Sequence, residues 1–196
     1  GLLGKKNHAD GKQFNYVSPN SDLLGWIIER STGERFSTLL SYLFWKPLGA
    51  IMPSYITVDR LGAPRVAGGL CTTAIDLALV GQLFLDNGIA NGQQIIPESW
   101  LQDIQSNGSK EAWLNGNFID YFPKMDMHYR SKWYVDYGSS NSSGDLIFGL
   151  GVHGQNLFIN PEKRIIVAKF SSQSSPLDPN LIPLTCKWVR TIINEF

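Results

Sequence analysis

The sequence predicts an α+β fold: a helical first part, then an antiparallel sheet of three or four strands, with a last helix on one face of that sheet. Three observations carry this. Apolar residues recur at helical spacing, between capping signals, over the first hundred residues. From about Lys132 the texture changes to β-rich runs. One amphipathic stretch then closes the chain, so helices and strands are segregated rather than alternating.

Residues 1 to 15 are polar and rich in Gly and Lys, and read as a loop. Ser18 is placed as N-cap and Pro19 as the first residue of a helix over about 19 to 31, with Leu23, Leu24, Ile27 and Ile28 on one face and Gly33 at its end. A second helix covers about 36 to 46, with Leu39, Leu40, Leu43 and Phe44 on a face, until Pro47 stops it. Residues 47 to 71 look irregular. Thr73 and Asp76 have capping-box spacing for a third helix, whose face is Ile75, Leu79, Val80, Leu83 and Phe84; Asn87 and Gly88 end it. A short helix follows over 97 to 104, opened by Pro97, and residues 105 to 130 show no clear period. "SKWYVDYG", "DLIFGLGVHG", "QNLFIN" and "RIIVAKFSS" are strand-like, and "NPEK" at 160 to 163 turns between the last two. Asp178 and Pro179 open the final helix, with Leu181, Leu184, Thr185, Trp188, Val189 and Ile192 as its core face.

The 196 residues are 43% hydrophobic and 17% charged, with 17 basic and 17 acidic residues. A zero net charge argues against a nucleic-acid binder, which shows a basic stripe. No apolar run is long enough to span a bilayer. Cys71 and Cys186 lack framework spacing and read as two separate buried thiols. The chain begins at Gly1 with no visible signal peptide, which reads as a processed start or a piece of a longer protein.

Most candidate chemistry fails on context. "GLGVHG" at 149 to 154 matches G-x-G-x-x-G, but a dinucleotide fingerprint opens a helix and a strand follows here. His8, His128 and His153 are far apart, with no metal-ligand spacing. No cofactor is implied, and there is no G-x-S-x-G elbow. His153 alone reads more readily as structural than catalytic, and Tyr16 as core or surface. Together they weigh differently: a strand-borne basic residue followed by Gly, and a Tyr-x-Ser before a helix.

That pair resembles two of the three motifs of the penicilloyl-serine hydrolases: class C β-lactamases, D-Ala-D-Ala carboxypeptidases and related esterases. Within them the sequence is most similar to the 6-aminohexanoate-dimer hydrolase branch. The resemblance rests on "FNYVSPNSDLLGWIIERSTG" (14 to 33), "WKPLGA" (45 to 50), "GGLCTTAIDLALVGQLFLDNG" (68 to 88) and "GLGVHGQNLFINPEKRIIVAKFSSQ" (149 to 173), nearly the whole chain. It implies a β-lactamase/transpeptidase-like fold. It makes Tyr16 a general base or proton relay and Ser18 a hydrogen-bond partner in the site. His153 stands where relatives carry the Lys of Lys-Thr-Gly and orients the polar network. Gly154 lets substrate lie along a strand edge, and a backbone N–H near Gln155 or Asn156 supplies half of an oxyanion hole.

The family nucleophile, the serine of Ser-x-x-Lys, is the departure. Fifteen residues precede Tyr16, and no lysine has a serine three positions before it. The resemblance therefore implies the C-terminal part of one catalytic domain: a mainly helical region at 1–130 and the strands and last helix at 131–196. Expected partners are a small amide or ester substrate, and the missing N-terminal segment or a second copy. The competing readings are a non-catalytic binding or regulatory protein of the same fold, and an unrelated α+β interaction module.

Overall fold

Gly33, left-handed at φ 73°, closes the first helix with its N–H on the Glu29 carbonyl. In the computed structural model, which describes residues 11–138 and 144–196, that helix is α1 (Pro19–Thr32). It is followed by α2 (Phe36–Leu40), a π-helical turn (Ser41–Trp45) and α3 (Lys46–Leu48). Pro47 thus lies inside the last turn rather than after it. Two small antiparallel ribbons flank α4 (Ala74–Leu85): β1 (Tyr55–Ile56) with β2 (Leu70–Cys71), and β3 (Ile89–Ala90) with β4 (Gln93–Gln94). Then come α5 (Glu98–Ser106) and α6 (Lys110–Leu114).

Among the described residues the main sheet has five antiparallel strands, not three or four, in sequence order: β5 (Met127–Arg130), β6 (Trp133–Asp136), β7 (Leu146–Leu150), β8 (Asn156–Asn160) and β9 (Ile165–Lys169). β5 lies in the stretch that shows no period, because its four residues are too few to display alternation. The strand region therefore starts at Met127, four residues before the expected division at 131. Helix α7 (Leu181–Glu195) ends the chain.

Both faces of the sheet are covered. Tyr134, Phe148 and Phe158 pack with Trp113, Phe122 and the α7 residues Ile182, Cys186, Val189 and Ile193. Their strand neighbours Val135, Ile147, Leu157 and Ile159 point the other way, to Phe84 of α4 and Leu101 and Ile104 of α5. That double burial is why "LIFGL" is apolar without alternation.

Four local expectations change. Ser18 sits at the N-cap position but with helical backbone (φ −54°, ψ −42°), and its hydroxyl makes no capping bond. Pro97 is the N-cap of α5, not its first residue. Asp178 caps α7 from two residues ahead, accepting the Asn180 and Leu181 N–H groups, so α7 starts at Leu181. Its buried face is Ile182–Cys186–Val189–Ile193, rotated from the expected one; Leu184 and Trp188 lie more than half exposed. Thr73 does cap α4, accepting the Asp76 N–H, while the Asp76 carboxylate takes the Thr73 hydroxyl and the Ile51 and Met52 N–H groups. Those bonds hold the Asp76 carboxyl below its usual range, the Ile51 bond most strongly.

Helix α1 does not use its predicted face. Leu23, Leu24, Ile27 and Ile28 are 37–52% exposed, and Gly25, turned to Val66, is the helix's one buried residue. Leu43 in the π turn and Ile75 on α4, both expected in a core, are exposed as well.

His128 is fully buried in β5. Its Nε2 lies 2.8 Å from the Ile104 carbonyl and its Nδ1 2.7 Å from the Tyr137 hydroxyl. The carbonyl can only accept, so Nε2 carries the proton and the Tyr137 hydroxyl donates to Nδ1. A Cβ on Gly108 would sit 1.8 Å from the ring, which leaves it no room to move. Burial is the main cause that lowers the imidazole's pKa. The unfolded chain therefore takes up this proton first, from about pH 6.5 downward. The contribution of His128 to stability is expected to be full above that pH and to fall as the medium is acidified. Thermal melting at stepped pH should show this slope, and His128→Gln should flatten it; an unchanged slope would count against the assignment.

Candidate active site

The segment before α1 is held by α6 and the loop that follows it. Phe14 N–H donates to Ala112 O, Phe14 O accepts from Asn117 N–H, and Tyr16 N–H donates to Asn117 Oδ1 at 3.1 Å. This extended backbone lays the Tyr16 ring flat on Phe118, centroids 4.8 Å apart, with Phe14 and Tyr129 edge-on. Pro19 then turns the chain into α1, so Tyr16 and Ser18 come to line one cleft of about 200 Å³ with Ser21, Val66, Tyr129 and Lys132. Neither the Tyr16 nor the Ser18 hydroxyl has a hydrogen-bond partner among the described residues.

Burial raises the Tyr16 pKa, and it is the one cause of the shift. At neutral pH the group is a phenol, able to donate a proton. For it to accept one, a cation must be brought close. Burial also raises the pKa of Tyr129 and Tyr134 behind it.

The second motif lies at the β7–β8 connection. His153, expected on a strand, sits instead in a short 3₁₀ turn (Val152–Gly154) with left-handed backbone, φ 58°, because β7 ends at Leu150. Three bonds to the 173–176 segment hold it: its N–H to Pro176 O, its O from Gln173 N–H, and Nδ1 at 2.8 Å from Gln173 O. The last contact places the ring proton on Nδ1 and leaves Nε2 as the free acceptor on an exposed side chain. Gly154 has φ 84°, and a Cβ there would meet the Gln173 side chain at 2.6 Å, so glycine is required twice over. The Gln155 amide clasps the Ser171 backbone, Nε2 to its O and Oε1 from its N–H, which prolongs the β8–β9 pairing. Asn156 is buried as the first residue of β8. Gly154 and Asn156 line a hollow of about 10 Å³ against α7, room for about one water.

The structure thus joins Tyr16 with Ser18, and His153 with Gly154, Gln155 and Asn156. Among the described residues, the two cavities share none in their linings. Sequence reasoning missed Asn117, Tyr129 and Lys132, which no local period in the sequence marks. Cys186 is excluded as a nucleophile, because burial pushes its thiol up to about 12. Cys71, expected to be buried, is only partly buried in β2.

The sequence profile of the Beta-lactamase family matches residues 5–183. The chain belongs to the Beta-lactamase family. Among relatives of this Beta-lactamase-family chain, the 6-aminohexanoate-dimer hydrolase of Paenarthrobacter ureafaciens is 37% identical over 164 residues, 84% of this chain and 40% of that protein. A solved structure from Bacillus anthracis, provisionally described as a 6-aminohexanoate-dimer hydrolase, superposes with TM-score 0.80 at 27% identity, over 97% of this chain and 46% of its own. Simvastatin synthase from Aspergillus terreus shares the fold at 14% identity (TM-score 0.69, 95% of this chain and 56% of its own). The chain therefore spans less than half the length of the first two proteins, and the antiparallel sheet with flanking helices is a β-lactamase/transpeptidase-like fold.

Proposed function

We propose that this Beta-lactamase-family chain carries one side of the active site of a serine hydrolase that cleaves amide or ester bonds through an acyl-enzyme. The observation behind it is the pairing in one cleft of two hydroxyls, Tyr16 and Ser18, that have no partner among the described residues of this family's chain. A relative named as a hydrolase supports the reading. In it, a serine of a Ser-x-x-Lys helix supplied from outside this chain attacks the carbonyl, and its proton passes toward Tyr16. The lysine's cation favours the Tyr16 phenolate, the form that accepts the serine's proton; that proton then goes to the leaving amine or alcohol, and water cleaves the acyl-enzyme. His153 Nε2 and Ser18 Oγ orient the substrate's polar atoms, Gly154 leaves room for it, and a backbone N–H near Gln155 or Asn156 faces the oxyanion.

Covalent labelling tests this. A fluorophosphonate probe is expected to leave the 196-residue chain unmodified and to label one serine, in Ser-x-x-Lys, when the reading frame upstream of Gly1 is expressed with it. Stoichiometric labelling within this chain would overturn the proposal. No labelling of the longer protein would favour a non-catalytic binding protein of the same fold.

The same reading makes the exposed face of α1 the seat of that other segment. Completing the burial of each half-exposed Leu or Ile is worth roughly 1 kcal/mol. Four such residues amount to a large share of a domain stability of about 5–15 kcal/mol. The chain expressed alone is therefore expected to associate with itself in size-exclusion chromatography with light scattering. A monodisperse monomer that melts cooperatively would count against this.

A further inference from the structure

We infer that the hollow between the His153 turn and α7 is the seat of one ordered water, hydrogen-bonded by the side chains of Asn156, Thr185 and Gln173. The site stands apart from the Tyr16–Ser18 cleft and does not need the hydrolase reading.

Asn156 carries the argument. It is 4% exposed, and its side chain has no hydrogen-bond partner among the described residues. Phe158, two residues on in β8, packs with Ile182 and Cys186 of α7, so the Asn156 amide faces α7 as well. There it lines the hollow. Buried amides are almost always bonded, and one that is not calls for an explanation. Asn160, at the other end of β8, shows the usual case: its Nδ2 donates to Asp145 O and its Oδ1 accepts the Lys163 N–H.

Two more polar side chains meet Asn156 at this place. Thr185 of α7 and Gln173 of the segment before it also line the hollow, and neither side chain has a partner among the described residues. The Gln173 amide lies against Gly154, where an added Cβ would stand 2.6 Å from its Cδ. Amides and hydroxyls both donate and accept, so the three groups can match the protons and lone pairs of one water. A volume of about 10 Å³ is close to the least that admits a water, and cavities that stay dry are apolar. None of the residues lining the hollow is charged, and Lys169 beside it is committed to the Gly154 carbonyl. The site therefore suits a single neutral molecule rather than an ion.

Gln173 also holds His153, donating its N–H to the His153 carbonyl and accepting from the ring at Nδ1. A water shared by Gln173, Asn156 and Thr185 ties the His153 turn to β8 and α7.

The test uses the protein expressed with the reading frame upstream of Gly1. Its crystal structure is expected to show one water within about 2.7–3.2 Å of the Asn156 amide and of Thr185 Oγ or the Gln173 amide. Magnetic relaxation dispersion, which counts long-lived waters in solution, should find one fewer in Asn156→Leu, where apolar atoms of similar size replace the amide. Thr185→Val, nearly isosteric, removes one bond and should shorten the residence of that water several-fold without unfolding the protein. The nitrogen chemical shifts of the His153 ring should show the Nδ1–H tautomer, and both variants should raise the share of the Nε2–H form. A hollow without water, one filled by a side chain of the upstream segment, or a water that survives Asn156→Leu would each overturn the inference. Ring shifts unchanged in both variants would overturn the tie to His153.

Discussion

Tyr16→Phe is expected to lower kcat for a linear amide about a hundred- to ten-thousand-fold in the protein that includes the nucleophile segment, with KM little changed. The change removes one oxygen. The ring keeps its stack on Phe118 and its edge contacts with Phe14 and Tyr129. The hydroxyl has no partner among the described residues, so no internal hydrogen bond is lost and stability should stay within about 0.5 kcal/mol. A large kinetic loss without a folding loss therefore reports on proton transfer. Steady-state kinetics and melting on the same pair of proteins separate the two. Turnover retained within a factor of about three would remove Tyr16 from the chemistry.

Arg190→Met is expected to destabilise the fold by about 3–5 kcal/mol. Arg190 on α7 reaches across to β6. Its Nε and Nη2 donate to Asp136 Oδ2 at 3.1 and 2.7 Å, Nη2 also donates to Asp136 O, and Nη1 donates to Gly144 O. The two side chains are 14% and 5% exposed. Methionine fills much of the same space but strands a carboxylate that water barely reaches. The cost is the desolvated charge left behind rather than the net value of the pair, so the double change Arg190→Met with Asp136→Leu should recover most of it. Urea titration of the three variants checks this. A double variant as weak as the single one would mean that Arg190 acts through its bonds to the Asp136 and Gly144 carbonyls instead.

Much of the helical frame was legible because its signals are local. Pro19 and Gly33 bracket α1, and Thr73 with Asp76 opens α4; each acts within one turn of backbone. The runs at 146–150, 156–160 and 165–169 announced strands because a doubly covered sheet needs unbroken apolar segments. β5 was not legible, since four residues containing a buried His and an exposed Arg carry no recognisable period. The face of α7 was misjudged because its two apolar stripes are similar in sequence, and only the sheet beneath chooses between them.

The site divides the same way. The sequence by itself singled out Tyr16 and Ser18 before a helix and a His153–Gly154 pair expected on a strand, because spacing along the chain is all that those patterns require; the pair lies in the turn after β7. Only the tertiary structure decided what surrounds them. It placed the Tyr16 ring on Phe118, a residue 102 positions away (118 − 16), put Lys132 at the cleft, and tied His153 to Gln173 and Pro176. It also left the apolar face of α1 open. Hydrogen-bonded turns and caps are settled by neighbours in sequence, whereas burial, desolvation and the company of a titrating group depend on which distant segments fold against it.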